Sequence, residues 1–144
     1  MFSKTCEYGI RAAIFIASQS YLNTRVGLKE IAKKIDSPEA FTAKILQILS
    51  KNAIVQSVKG VGGGFEISKE LMRQITLAQI VTALEGDRVF TGCGLGLQSC
   101  NEEHPCPLHE KFVQIRTELA LMLENTNLEE LALGIKSGDT FLRY

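Results

Sequence analysis

The sequence has no apolar run approaching the roughly 18 residues that a membrane span requires, the longest being Ala12 to Ala17. It starts Met-Phe-Ser-Lys, without a basic region followed by an apolar one and a cleavage site, so no signal peptide is expected. These two absences predict a reducing, cytoplasmic setting, where clustered cysteines serve as metal ligands or redox sensors more often than as disulfides. There is no Ser/His/Asp or paired-carboxylate constellation, so no enzyme is predicted. The cysteines show neither C-x2-C nor C-x4-C pairing, the usual mark of structural zinc, nor a simple ferredoxin spacing that would indicate a dedicated electron carrier. Net charge is also absent, but the zero is composite. Residues 1–75 hold 11 lysines and arginines against 6 acids, whereas residues 76–144 hold 5 against 10. A basic first half suits nucleic acid.

What is present, over 144 residues with 45% apolar composition, is enough for one domain or one domain with an extension. Residues 4–21 read as a helix that is apolar nearly all round, with Ile10, Ala13, Ile14 and Ala17 on one face and Ala12, Phe15 and Ile16 beside it. Glu7 and Arg11 near its start are expected to form a surface ion pair. Cys6 on the same helix reads as a buried small hydrophobe.

Leu28 to Ile35 carries apolar residues at helical spacing. Ser37 as cap and Pro38 as first residue predict another helix ending near Asn52, with Phe41, Ile45, Ile48 and Leu49 as its buried stripe. The pair reads as a helix-turn-helix. Its second helix offers Glu39, Thr42, Lys44, Gln47 and Lys51, a mixture of hydrogen-bonding and basic side chains suited to a major groove.

Two short alternating segments follow, Ile54 to Val58 and Phe65 to Ile67, separated by Lys59-Gly60-Val61-Gly62-Gly63-Gly64. A phosphate-binding loop would need a helix directly after its glycines, and here a strand follows instead. A hairpin after a helix-turn-helix is a wing, with Lys59, Gly60 and Gly62 placed to touch DNA backbone or minor groove. The fold class predicted is therefore mainly α with a small β-hairpin wing (α+β). Residues 1–75 are read as a winged helix-turn-helix domain and residues 76–144 as a dimerisation region.

In that second segment, Thr76 to Gln79 is a capping box and Gly86 a helix stop. Leu108, Phe112, Ile115, Leu119 and Met122 then form a heptad seam that seeks a partner helix, so a homodimer is expected. A last short helix is expected from Asn127 to Gly134, followed by a mobile tail. Between these elements lies the loop 87–107, without helical or strand periodicity. It carries Cys93, Cys100 and Cys106, with His104 inside it and His109 just beyond. About 20 structureless residues in a compact domain are uncommon unless functional. Three soft thiolates suit an iron–sulfur cluster, zinc or a metal-free thiol sensor; His104 reads as an exposed loop histidine.

The succession Glu7-Tyr8-Gly9-Ile10-Arg11-Ala12, Leu28-Lys29-Glu30-Ile31-Ala32, Lys44-Ile45-Leu46, Lys59 to Phe65 and Ile75-Thr76-Leu77 resembles the IscR/NsrR-type bacterial regulators. The match runs from residue 1 to about residue 125. The resemblance implies a dimeric winged-helix transcription factor on a near-palindromic operator in double-stranded DNA. Some members hold a 2Fe–2S or 4Fe–4S cluster; others lack the cysteines and respond to protein partners or other signals. It further implies Cys93, Cys100 and Cys106 as ligands, with either His109 or Glu7, the latter from the partner subunit, as the fourth. The cysteine spacing C-x6-C-x5-C is one residue longer in its first gap than the cluster-assembly regulator's usual pattern. Ala43 stands where IscR-like members carry glutamate, so operator preference does not carry over, and Lys59 replaces the usual wing arginine. The expected function is redox, nitric oxide or iron–sulfur sensing coupled to transcription. The alternative is a regulator of the same fold controlled by a protein partner, a small ligand or thiol oxidation.

Overall fold

The computed structural model describes residues 1–143, and its centre is the first helix, α1 (Lys4–Tyr21). Cys6, Ala12, Ala13, Phe15, Ile16, Ala17 and Ser18 of α1 are all buried, as a helix apolar on most sides must be. The Ser3 side chain caps it by accepting the Cys6 N–H at 3.1 Å. Around α1 lie α2 (Leu28–Ile35) and α3 (Glu39–Lys51), then the antiparallel strands β1 (Gln56–Val58) and β2 (Gly64–Glu66). After them come α4 (Lys69–Gln74), α5 (Leu77–Glu85), a single turn α6 (Arg88–Thr91), α7 (His109–Asn125) and α8 (Leu128–Ser137). This is the expected mainly helical fold with a small wing. Among the described residues, no helix is long and apolar enough to cross a membrane.

The helix-turn-helix is set against α1 by Arg11. Its Nη1 donates to the Ile35 carbonyl at 3.0 Å and its guanidinium lies 4.8 Å from the centroid of the Tyr8 ring, which meets Phe41 of α3 edge-on at 5.6 Å. The expected Glu7–Arg11 ion pair is not formed: Glu7 pairs with Lys4 at 3.1 Å, and Arg11 takes only the Glu7 carbonyl. The turn closes through Asp36 in the left-handed region, φ 56°, with the Ser37 N–H donating to Ala32 at 2.9 Å. Ser37 is therefore not the cap of α3. That position falls to Pro38, which has no side-chain oxygen to offer. The buried stripe of α3 is Thr42, Ile45, Leu46 and Leu49, rotated from the expected one, with Phe41 and Ile48 only half-buried.

In the wing, Gln56 pairs with Glu66, Ser57 with Phe65 and Val58 with Gly64. Val26 adds a one-residue bridge to Phe65 on the other side. Gly64 must be glycine: its φ is 135°, and a Cβ there would lie 2.8 Å from the Val26 carbonyl oxygen.

The second segment folds back onto the first. The Leu77 N–H donates to Thr126 at 2.9 Å and the Leu128 N–H to Ile75 at 3.0 Å, fastening the start of α5 to the α7–α8 junction. Leu123, Leu128 and Ala132 join the same buried cluster as α1, so one core runs through residues 1–75 and 76–144 alike. Helix α8 does not stop at Gly134. It continues to Ser137 and ends in the left-handed Gly138, φ 82°. Through Arg143 the tail after it is docked rather than loose, with Leu142 packed on the core and Arg143 donating to the Lys33 carbonyl at 3.0 Å; Tyr144 lies outside the described residues. The heptad seam of α7 is divided. Leu119 packs on the core, whereas Ile115 and Met122 are 58% and 48% exposed.

The hairpin supplies a direct test of these backbone constraints. Gly64→Ala should lower stability by about 2 kcal/mol or more, whereas Gly60→Ala, where a Cβ meets open space at φ 91°, should cost about 1 kcal/mol. Urea denaturation of the two variants measures the difference, and equal costs would contradict the close approach at Val26.

Candidate nucleic-acid face and thiol loop

Two groups of expected site residues occupy separate places. On α3, Glu39, Lys44, Gln47 and Lys51 are exposed and Ala43 is half-buried. Thr42, expected on this face, is fully buried; its hydroxyl donates to the Pro38 carbonyl at 2.9 Å, so it braces the helix start and cannot reach a groove. At the wing, Lys59, Gly60 and Gly62 are all exposed. A tight turn, with the Gly63 N–H donating to Gly60 at 3.0 Å, puts Val61 at the tip. Arg25, which periodicity does not single out, braces this tip. Its Nε donates to Glu66 at 2.8 Å and its Nη1 to the Gly62 carbonyl at 3.4 Å. Nothing local in the sequence links residues 41 apart.

The loop that follows α5 packs Val89 and Phe90 against the core, and beyond them it is held mainly by contacts to α7. It is also less shapeless than its sequence implies, since α6 gives it one helical turn. The Phe112 ring covers Gly94 so closely that a Cβ there would approach the ring to 2.7 Å. Arg116, one turn further along α7, is the main fastening. Its Nη1 donates to the carbonyls of Gly92 and, at 3.5 Å, Thr91, while Nη2 lies 3.4 Å from Cys100 Sγ. Its Nε is buried without a partner among the described residues, a costly arrangement for a charged group. Sequence reading missed Arg116 because its partners lie 16 to 25 residues away.

The candidate ligands stand as two pairs. Cys100 Sγ is 3.3 Å from His109 Nδ1, at the first residue of α7. Cys93 adjoins Cys106, and the backbone N–H groups of Leu97 and Leu95 hold its thiol below the ordinary value. Among the described residues no three His, Cys, Asp or Glu side chains are gathered closely enough for one metal ion. In donor chemistry the set suits a soft iron centre: three half-buried thiols, one imidazole, and a guanidinium 3.4 Å from the Cys100 sulfur. His104 is exposed, as expected. Glu7 sits half-buried on α1, paired with Lys4.

The loop reaches the start of α1. A cavity of about 500 Å³ is lined by Ser3, Glu85, Arg88, Gly92, Cys93 and Arg116, and the Ser3 N–H donates to Glu85 at 2.7 Å. Cys6 lies behind this wall. Burial first, and then the Glu85 carboxylate, push its thiol up to about 12, so it is a protonated core residue.

Comparison with known proteins fits this geometry. Residues 2–133 match Rrf2, described as an iron-dependent transcriptional regulator. A protein of Aquifex aeolicus assigned as an HTH-type transcriptional regulator is 31% identical over 133 residues, spanning 91% of this chain and 90% of that protein. The HTH-type transcriptional regulator IscR of Yersinia pseudotuberculosis is 26% identical over 125 residues, spanning 87% of this chain and 74% of IscR. Among solved structures, T. potens IscR superposes with a TM-score of 0.74 at 21% identity, covering 97% of this chain and 91% of that one. CymR, the global cysteine regulator of B. subtilis, gives 0.73 at 24% identity, covering 92% and 95%. These two likenesses concern the fold.

The fastening role of Arg116 is testable in isolation. Arg116→Leu should raise amide hydrogen exchange across residues 92–100 by about tenfold or more while leaving α1 to α3 unchanged. Unchanged exchange in the loop would show that Arg116 does not hold it.

Proposed function

The chain belongs to the Rrf2 family of transcriptional regulators, and from that premise we propose that it is a homodimeric DNA-binding regulator whose thiol loop holds an iron–sulfur cluster. The observation that supports the sensing half is the contact of Cys100 with His109 and Arg116 of α7, together with that of Cys93 with Cys106 in the same loop. Cys93, Cys100 and Cys106 would hold the cluster, with His109 or the partner subunit's Glu7 completing it. Bound there, the cluster supplies a centre that oxygen or nitric oxide can disassemble.

The residues of the chain supply the rest. Exposed Lys44, Gln47 and Lys51 read the major groove while Lys59 and the glycine tip follow the backbone. Ile115 and Met122 form an exposed apolar strip on α7 that a second copy covers. Two copies place two α3 helices at a set separation, which half-sites on one face of the duplex must match. Loop order then biases that separation, because the loop abuts both α7 and the start of α1.

A second reading rests on the pairing of the donors. Four groups standing as Cys93 with Cys106 and Cys100 with His109 also suit a regulator without a cluster that responds to thiol oxidation or a bound partner.

One comparison decides between them. With an operator selected from random-sequence DNA, replacing Cys93, Cys100 and Cys106 together by alanine should change the affinity of anaerobic protein by roughly tenfold. The same affinity in both proteins rejects the cluster reading, and the second then requires a change in affinity on oxidation of the wild type that the alanine variant lacks. A difference that persists in wild-type protein stripped of iron and kept reduced favours the second reading.

A further inference from the structure

The C-terminal segment is not consumed by any role above, yet it is anchored at several points. After Gly138 the chain turns back, with the Asp139 and Thr140 N–H groups both donating to Gly134 at 3.2 Å, and Leu142 seats on the core. This delivers Arg143 to the helix-turn-helix. Its Nη1 donates to the Lys33 carbonyl near the end of α2 and lies 3.9 Å from Asp36 Oδ1 in the turn. Its side chain remains 55% exposed. It borders an open groove of about 940 Å³ whose walls include Lys29, Lys33, Lys34 and the first residues of α3, Pro38 and Glu39.

We propose that the C-terminal segment is part of the DNA interface, with Arg143 donating to a duplex phosphate beside the amino end of the reading helix. This inference rests on the DNA-binding reading above. In a helix-turn-helix the first helix crosses the phosphate backbone, and the amino end of the second enters the groove. Arg143 stands at the junction of the two. Glu30, Asp36 and Glu39 are also at this face and would repel phosphate. Arg143 offsets Asp36, the one in the turn itself, and three lysines offset the others. A guanidinium also has geometry that an ammonium lacks, since it can bond its own chain with one nitrogen and grip a phosphate with the others. The Lys33 carbonyl fixes its position, so little side-chain freedom remains to be lost on binding.

The test uses the full chain and a mixed-sequence duplex of about three helical turns, since phosphate contacts are independent of base sequence. Affinity is measured by fluorescence anisotropy over a range of salt, with Tm recorded for each protein. Arg143→Ala should bind several-fold more weakly, with the slope of log affinity against log salt smaller by roughly 1. Arg143→Lys should keep most of the slope. Unchanged affinity and slope in Arg143→Ala would overturn the proposal, and a fall in Tm alone would show a purely structural strap. A wild-type protein without salt-dependent binding would defeat the DNA-binding reading itself, and this inference with it.

Discussion

Burial of α1 on nearly every side is the constraint from which the arrangement follows. A helix with buried Cys6, Ala12, Ala13, Phe15, Ile16 and Ala17 cannot face water, so the helix-turn-helix, the wing, α5 and α8 must all pack around it. The consequence is mechanical. One end of α1, at Ser3, bonds to Glu85 and shares a cavity with Cys93, while Tyr8 and Arg11 grip α3 and the end of α2. Ser3 and Arg11 are only about 12 Å apart along the helix axis. A change in loop order at the start of α1 therefore meets a rigid, close-packed element whose next two turns, at Tyr8 and Arg11, contact the reading helix and the end of α2.

The loop itself obeys different physics from the core. Beyond Val89 and Phe90, which pack on the core, it depends on the charged hydrogen bonds of Arg116 and on the ring of Phe112 over Gly94. Segments held this way open at low cost, which suits a sensing element better than a structural one. The same guanidinium that ties Gly92 to α7 also touches Cys100, so chemistry at that sulfur acts on the fastening as well as on any ligand it binds. Cys6 has the opposite environment, and burial keeps it out of that chemistry.

Much of the fold was legible because it is written in local terms. The bounds of α1 and α2 and the Thr76 capping box follow from periodicity and cap residues alone. Errors cluster where a distant partner decides. Thr42 looks like a groove-facing hydroxyl until the rotation of α3 buries it. Gly134 looks like a helix stop, but Thr140 packs against it and Gly138 supplies the turn. Helix α4, capped by Ser68, is six residues long, too short to show a period. At the loop, the cysteines announce themselves by type, whereas Arg25 and Arg116 act only through partners far along the chain.

The sensing half proposed above rests on three thiols of a polar loop, steadied by α7, binding a soft metal centre. Iron and acid-labile sulfide, determined together with the visible spectrum on anaerobically purified protein, test it most directly. Bound iron and sulfide with charge-transfer absorption, all lost in Cys100→Ala, are the expected result. Wild-type protein that stays colourless and iron-free after anaerobic reconstitution would contradict it.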